Sequence, residues 1–169
     1  MANLLIEYAN NNKIVLKINE KNNHGDNSLT WPSSNNNIKM VKLLIDYANK
    51  NNIILEINEK TEKRNNPLIL ATSYNNNEIV KLLINYANKN KIVLEINEKH
   101  ENGNDPILWT IVRNNIETFI LLVEYSVEKK IKIIINEKNI EEIISRNLNF
   151  VNLKNISEIN PEFIKLIYI

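Results

Sequence analysis

The sequence predicts a mainly α-helical solenoid of stacked repeats, because one 18-residue pattern recurs four times along the chain. Its copies start 39 residues apart, at Leu4, Leu43, Leu82 and Leu121. The spacing never slips, so equivalent residues are expected to form columns along the stack. Length and composition agree, since 169 residues with 43% apolar side chains can bury a sizeable core.

Each unit is predicted to contain a short helix followed by a longer one. The longer helix follows from Glu78, where EIVKLLINYA places Ile79, Leu83 and Tyr86 on one helical face. The Asn residues just before it suit a turn and an N-cap. Pro67, preceded by Asn66, predicts the first residue of the shorter helix.

A strand-like segment rich in β-branched residues follows each long helix. The four copies cover residues 14–18, 53–57, 92–96 and 131–135. Because they run in the same direction in a stacked array, we expect them to pair as a parallel β ladder. Its two open edges would be covered by the C-terminal stretch or used for association between chains.

These features together resemble the ankyrin repeat family. The matching residues of the third copy are Asn66-Pro67-Leu68-Ile69 at a helix start, the Asn75 turn, Glu78-Ile79-Val80-Lys81-Leu82-Leu83 in the second helix, and Glu95-Ile96-Asn97 in the hairpin. The resemblance extends from Leu4 to about Glu142 and implies stacked helix-turn-helix repeats with a hairpin segment in each. It also implies one domain over residues 1–169, with a partial unit at 4–27, full units at 28–66, 67–105 and 106–144, and an irregular or truncated unit at 145–169.

The 39-residue period is longer than the family's period of about 33, and the departures have physical consequences. Ala9, Ala48, Ala87 and Ser126 replace the Gly that ends the family's second helix. We therefore expect these helices to run on by about a turn, to Asn49-Lys50 and to Lys89-Asn90, with Asn90 as a cap.

Two further departures concern the first helices and the turns. Asn36, Asn75 and Asn114 replace the turn Gly, and Asn best tolerates the left-handed conformation after Gly. Pro32 falls inside the first helix of the first full unit, so that helix should be shortened or bent.

Composition argues against most enzyme classes and against several kinds of partner. There are no cysteines, two histidines and two glycines, so thiol chemistry, zinc ligation and phosphate-binding loops lack their residues. We expect no enzyme activity, no cofactor and no metal. The balance of 21 basic and 20 acidic residues gives no reason to expect nucleic acid or a membrane as partner. No export signal is visible at the start, so the cytoplasm is the expected location, with the nucleus as alternative.

Several columns have a structural interpretation. We interpret Asn19, Asn58, Asn97 and Asn136 as amides bonded to backbone rather than as a ligand site. The Glu20, Glu59, Glu98 and Glu137 column, with a Lys after each member, indicates a solvated mixed-charge edge rather than a cation site. Trp31 and Trp109 share one register, which favours helix packing first and a binding hot spot second.

By resemblance, a partner should bind the concave side, which is built from hairpin tips and first helices. In these positions the units differ, whereas their other segments are almost copied. The predicted partner-binding residues are Asn23, His24, Asp26, Ser34 and Asn35 in the first full unit, Glu62, Lys63, Asn65, Ser73 and Tyr74 in the next, and Glu101, Asn102, Asn104, Val112 and Arg113 in the third.

The sequence thus predicts a non-enzymatic scaffold that binds a protein through this side. One alternative is a structural subunit that self-assembles end to end, giving a homo-oligomer, because neither end of the array has a polar outer face. Another is a targeting segment of a larger protein.

Overall fold

The computed structural model describes residues 2–134, which form seven α-helices in two rows. Short helices pack side by side in one row and long helices in the other. Their bounds are α1 (Ala2–Asn11), α2 (Thr30–Ser34), α3 (Ile38–Lys50), α4 (Pro67–Ser73), α5 (Asn77–Asn90), α6 (Pro106–Val112) and α7 (Ile116–Lys129). The mainly helical architecture of helix-turn-helix repeats is confirmed. The predicted unit at 145–169 and the end of the preceding one lie outside the described residues.

Local sequence explains where the short helices begin. The Asn66 side chain accepts a hydrogen bond from the Ile69 N–H at 2.8 Å, and a proline follows it at the first helical position. Asp105 caps α6 through the Leu108 N–H, also at 2.8 Å. Pro32 lies inside α2, and this helix has five residues where α4 has seven, so the predicted shortening is confirmed.

The turns and the long-helix ends also follow the prediction. Asn36, Asn75 and Asn114 have positive φ angles of 51°, 63° and 53°, in the left-handed region that Asn tolerates. Helices α3 and α5 extend to Lys50 and Asn90, as the missing Gly predicted. The left-handed residue after α5 is Lys91, one position beyond the expected cap, while the Asn90 amide donates to the Tyr86 carbonyl at 2.9 Å.

The predicted β ladder is wrong for the described part of the chain, where no strand forms between residues 2 and 134. Stacked helices lie about 8–10 Å apart, whereas strands must approach to about 4.8 Å to pair through their backbones. Segments carried by stacked helix pairs are therefore too far apart for a direct ladder.

Asparagine side chains instead join the neighbouring extended segments. The Asn19 amide donates to the Ile54 carbonyl at 2.7 Å and accepts from the Glu56 N–H at 3.2 Å. Asn58 and Asn97 make the same pair of bonds one and two units further on. The interpretation of this column as backbone-bonding amides is confirmed for these three residues, while Asn136 lies outside the described range.

A tyrosine column provides a second link at each junction. The hydroxyl groups of Tyr47, Tyr86 and Tyr125 accept hydrogen bonds from backbone N–H groups of the preceding unit at 2.7–2.9 Å. These tyrosines are buried in one continuous core with leucine and isoleucine side chains from the long helices and extended segments. Core and network together hold successive units in a fixed relation.

Candidate partner-binding face

The short helices and the loops before them form one side of the stack. We call these loops fingers and define them as residues 18–29, 57–66 and 96–105. Helix α4 packs between α2 and α6, so equivalent outward positions of the three helices are neighbours. This arrangement brings predicted partner-binding residues of three units onto neighbouring short helices and fingers.

Each finger is closed by its own hydrogen bonds. In the first, the Asn22 side chain accepts from the N–H groups of His24 at 2.9 Å and Asp26 at 3.0 Å, and Gly25 has a φ of +76°. The Glu62 N–H donates to the His24 carbonyl at 3.0 Å, which joins the first finger directly to the second. A Cβ on Gly25 would lie 3.0 Å from the Thr61 backbone, so this close approach needs glycine.

The structure leaves most of the predicted residues accessible to a partner. Asp26, Ser34, Asn65, Asn104 and Val112 are partly exposed. Nine are exposed, and together with Trp31 and Trp109 we call them the variable face: Asn23, His24, Asn35, Glu62, Lys63, Tyr74, Glu101, Asn102 and Arg113.

Ser73 does not fit the predicted set, because it is buried. Its hydroxyl donates to the Leu70 carbonyl at 3.1 Å, and its own carbonyl accepts from the Arg113 Nε at 2.5 Å. Ser73 therefore positions an exposed arginine and does not itself face solvent.

Trp31 corrects the packing interpretation of the tryptophan column. Its side chain is 75% exposed, whereas Trp109 is only partly exposed and Leu70 between them is buried. Register alone placed Trp31 and Trp109 in one column, but it could not show that their exposure differs, with α2 the first short helix among residues 2–134.

The third unit places two side chains, His100 and Arg113, against the indole of Trp109, and we call these three residues the Trp109 cluster. The guanidinium carbon of Arg113 lies 5.4 Å from the centre of the Trp109 ring, within cation–π range. The His100 ring centre lies 6.4 Å from the Trp109 ring centre, with the planes at 73° in an edge-on arrangement. Sequence reasoning selected Arg113 but neither His100 nor Trp109 for the face, because contacts across the finger and helix are not visible in the repeat spacing.

The arrangement of helix pairs and fingers agrees with a family-level match. Residues 51–134 match the family model of ankyrin repeats (3 copies). The chain belongs to the ankyrin repeat family. No curated protein matches it.

Charged residues along the ankyrin fingers pair between units. Lys21 pairs with Glu59, and Lys60 and Arg64 both contact Glu98 at 2.9 Å. Arg64 first and Lys60 second lower the pKa of the Glu98 carboxyl. The expected mixed-charge edge is thus built from contacts between one repeat and the next for these pairs, while Glu137 lies outside the described residues.

The pKa of Asp105, the helix cap of the third ankyrin unit, shifts in the opposite direction. Desolvation raises the pKa of Asp105, and the hydrogen bonds from the N–H groups of α6 only partly oppose this shift. The equivalent residues Asn27 and Asn66 carry no charge. The Asp105 carboxyl serves as a helix cap through the Leu108 N–H.

Residues 2–134 contain no group of three or more His, Cys, Asp or Glu side chains that could hold a metal ion. None of the seven helices is both long enough and apolar enough to cross a membrane. The variable face has exposed aromatic and charged side chains.

Proposed function

We propose that this chain is a non-enzymatic ankyrin repeat scaffold that binds a protein partner across the variable face. The observation that carries this proposal is that the units differ most in the fingers and short helices, where nine of the predicted residues are exposed, whereas the long-helix and extended segments are almost copied. Ankyrin repeats are in general modules for protein–protein interaction.

The residue types on the variable face support the same function. Trp31 is 75% exposed and Tyr74 is 59% exposed, while Arg113 is fixed against Trp109. Tryptophan, tyrosine and arginine are the side chains that most often dominate binding energy in protein interfaces. A partner that covers them removes apolar surface from water and can pair with the charges around it.

The rigidity of the scaffold favours binding through this face. The fingers are held by internal hydrogen bonds and by bonds to the next unit, and the short helices pack on each other. A surface that is ordered before binding has less conformational entropy to lose when the partner arrives.

The test is affinity capture with the full chain and two matched triple variants. The face variant combines Lys63→Glu, Tyr74→Ala and Arg113→Glu. The control combines Lys39→Glu, Asn85→Ala and Lys89→Glu, which are all exposed on the long helices. We expect a partner bound by wild type and control to be lost with the face variant. Equal capture by all three proteins would contradict the proposed face.

A second candidate, the association of two copies, is favoured by the N-terminal helix. Leu4, Leu5 and Tyr8 of α1 are exposed, as are Ile14 and Val15 after it. The equivalents of Leu5 and Tyr8 in the inner units are buried against the preceding unit, so this surface has the chemistry of an inter-unit contact. Sedimentation velocity tests it: we expect an oligomer that Leu5→Glu dissociates, and a wild-type monomer at all concentrations would contradict it.

A further inference from the structure

Arg113 is held in place but its charge is not neutralised by the described residues. Its Nε donates to the Ser73 carbonyl at 2.5 Å, and its guanidinium lies over Trp109. No carboxylate between residues 2 and 134 forms an ion pair with it, whereas Arg64 pairs with Glu98 at 2.9 Å. One nitrogen of Arg113 is committed to backbone, and the fork of terminal nitrogens has the geometry that carboxylates favour.

One neighbour of Arg113 in the Trp109 cluster, His100, also carries an N–H group. The His100 Nδ1 accepts from the Asn102 N–H at 3.2 Å, so the hydrogen of the neutral ring is on Nε2. The Trp109 indole N–H is buried and has no hydrogen-bond acceptor among residues 2–134. Because that atom is covered, Trp109 contributes its ring face to the cluster, against the Arg113 guanidinium, and not its N–H.

We propose that the Trp109 cluster binds a carboxylate of the protein partner. Arg113 supplies the charge and the forked donors, and His100 supplies an N–H group beside it, while the Trp109 ring lies against the guanidinium. Tyr74, which directly follows the carbonyl that holds Arg113, supplies adjacent aromatic surface that is exposed. The inference rests on the proposed function, since the carboxylate belongs to a polypeptide seated on the variable face.

A purely structural role for Arg113 would need only its Nε. That nitrogen ties α6 to the end of α4 through Ser73, and this contact requires no anion. A structural role and a carboxylate-binding role of Arg113 therefore differ in whether the Trp109 cluster responds to a carboxylate.

The probe for this test is N-acetylglutamic acid α-amide, with N-acetylglutamine α-amide as its neutral match. Both are titrated into the full chain while the indole N–H signals of Trp31 and Trp109 and the Arg113 Nε–H signal are followed by NMR. We expect the carboxylate probe alone to shift the Trp109 and Arg113 signals with saturation, while the Trp31 signal stays unchanged. Equal shifts with both probes, or no shift with either, would overturn the proposal.

Inorganic phosphate provides the second arm of the experiment. If phosphate shifts the Trp109 and Arg113 signals and the carboxylate probe does not, the cluster recognises a phosphoryl group and the proposal is wrong. If the carboxylate probe binds and phosphate competes with it only weakly, the proposal is supported.

Two matched variants locate the binding group. Arg113→Gln should weaken binding of the carboxylate probe by about tenfold or more, because it removes a charge-assisted pair. Arg64→Gln makes the same change at the other described arginine and should leave probe binding unchanged. The wild-type titration does not depend on either variant, so the proposal stays testable if Arg113→Gln is poorly folded.

Failure of this inference and failure of the proposed function give different results. Loss of capture with the face variant, combined with no response to the carboxylate probe, would reject the carboxylate site and keep the scaffold function. Capture that is equal for wild type and face variant would reject the binding face on which the inference rests.

Discussion

The first and third long-helix segments share nearly the same sequence but have opposite environments. LLIEYA at Leu4 lies in α1, and LLINYA at Leu82 lies in α5. Leu5 is 55% exposed and Tyr8 is 60% exposed, whereas Leu83 and Tyr86 are 1% and 3% exposed. The difference comes from the neighbouring unit, which covers α5 and is absent beside α1 in the described structure. In a solenoid, burial is a property of the junction as much as of the residue.

The largest expected effect is the loss of stability when the buried leucine of this motif is shortened, compared with its exposed equivalent. Leu83→Ala should lower the free energy of unfolding by about 2–5 kcal/mol, because it removes a fully buried side chain and leaves a cavity. Leu5→Ala should change it by less than about 0.5 kcal/mol. Urea denaturation measures both. A large cost at Leu5 would mean that another chain covers the α1 surface in solution.

Removal of a tyrosine hydroxyl group tests the hydrogen bond that joins neighbouring units. Tyr86→Phe removes the acceptor of the buried Leu55 N–H, so we expect a loss of about 1–3 kcal/mol in the free energy of unfolding. Tyr8→Phe should have almost no effect, since the Tyr8 side chain is exposed. Chemical denaturation of the pair gives the comparison, and equal effects would show that the inter-unit bond contributes nothing.

Glycine substitutions at alanines of the same helices test the cost of lower helix propensity, which does not depend on the neighbouring unit. Ala87→Gly should lower the free energy of unfolding by about 1 kcal/mol, because α5 continues three residues beyond it to Asn90. Ala9→Gly should cost a similar amount, since Ala9 lies inside α1 and is also buried. Thermal or urea unfolding is sufficient, and a stabilising Gly at residue 87 would contradict the extended helix.

The smallest expected effect concerns the charged cap of the third unit. Burial raises the pKa of Asp105, so the folded state holds its proton more tightly than the unfolded state does. Wild-type stability should therefore fall as pH rises from the ordinary carboxyl range through the raised pKa.

Asp105→Asn should remove that pH dependence and keep the cap, as Asn66 does in the preceding unit. Above this pH window we expect the variant to be slightly more stable than wild type, by less than the roughly 1 kcal/mol expected for glycine. Unfolding curves at several pH values measure the difference. A difference that does not change with pH would show that Asp105 is not the titrating group.

Much of the candidate site followed from the repeat pattern. The pattern placed Tyr74 and Arg113 at equivalent, outward positions, because a strict period fixes where each side chain points within its unit. It could not show that Ser73 is buried or that His100 and Arg113 contact Trp109, since those facts depend on packing between elements. Whether a partner binds there stays a prediction.

The sequence by itself determined the units of this protein. Asn66 and Pro67 start a helix, Asn75 makes a turn, and the absence of Gly at residue 87 lets α5 continue, because each effect acts within a few residues of the chain. The tertiary structure decided how the units meet. Stacked helices keep the extended segments too far apart for a ladder, so the Asn58 amide makes the link that strand pairing was predicted to make.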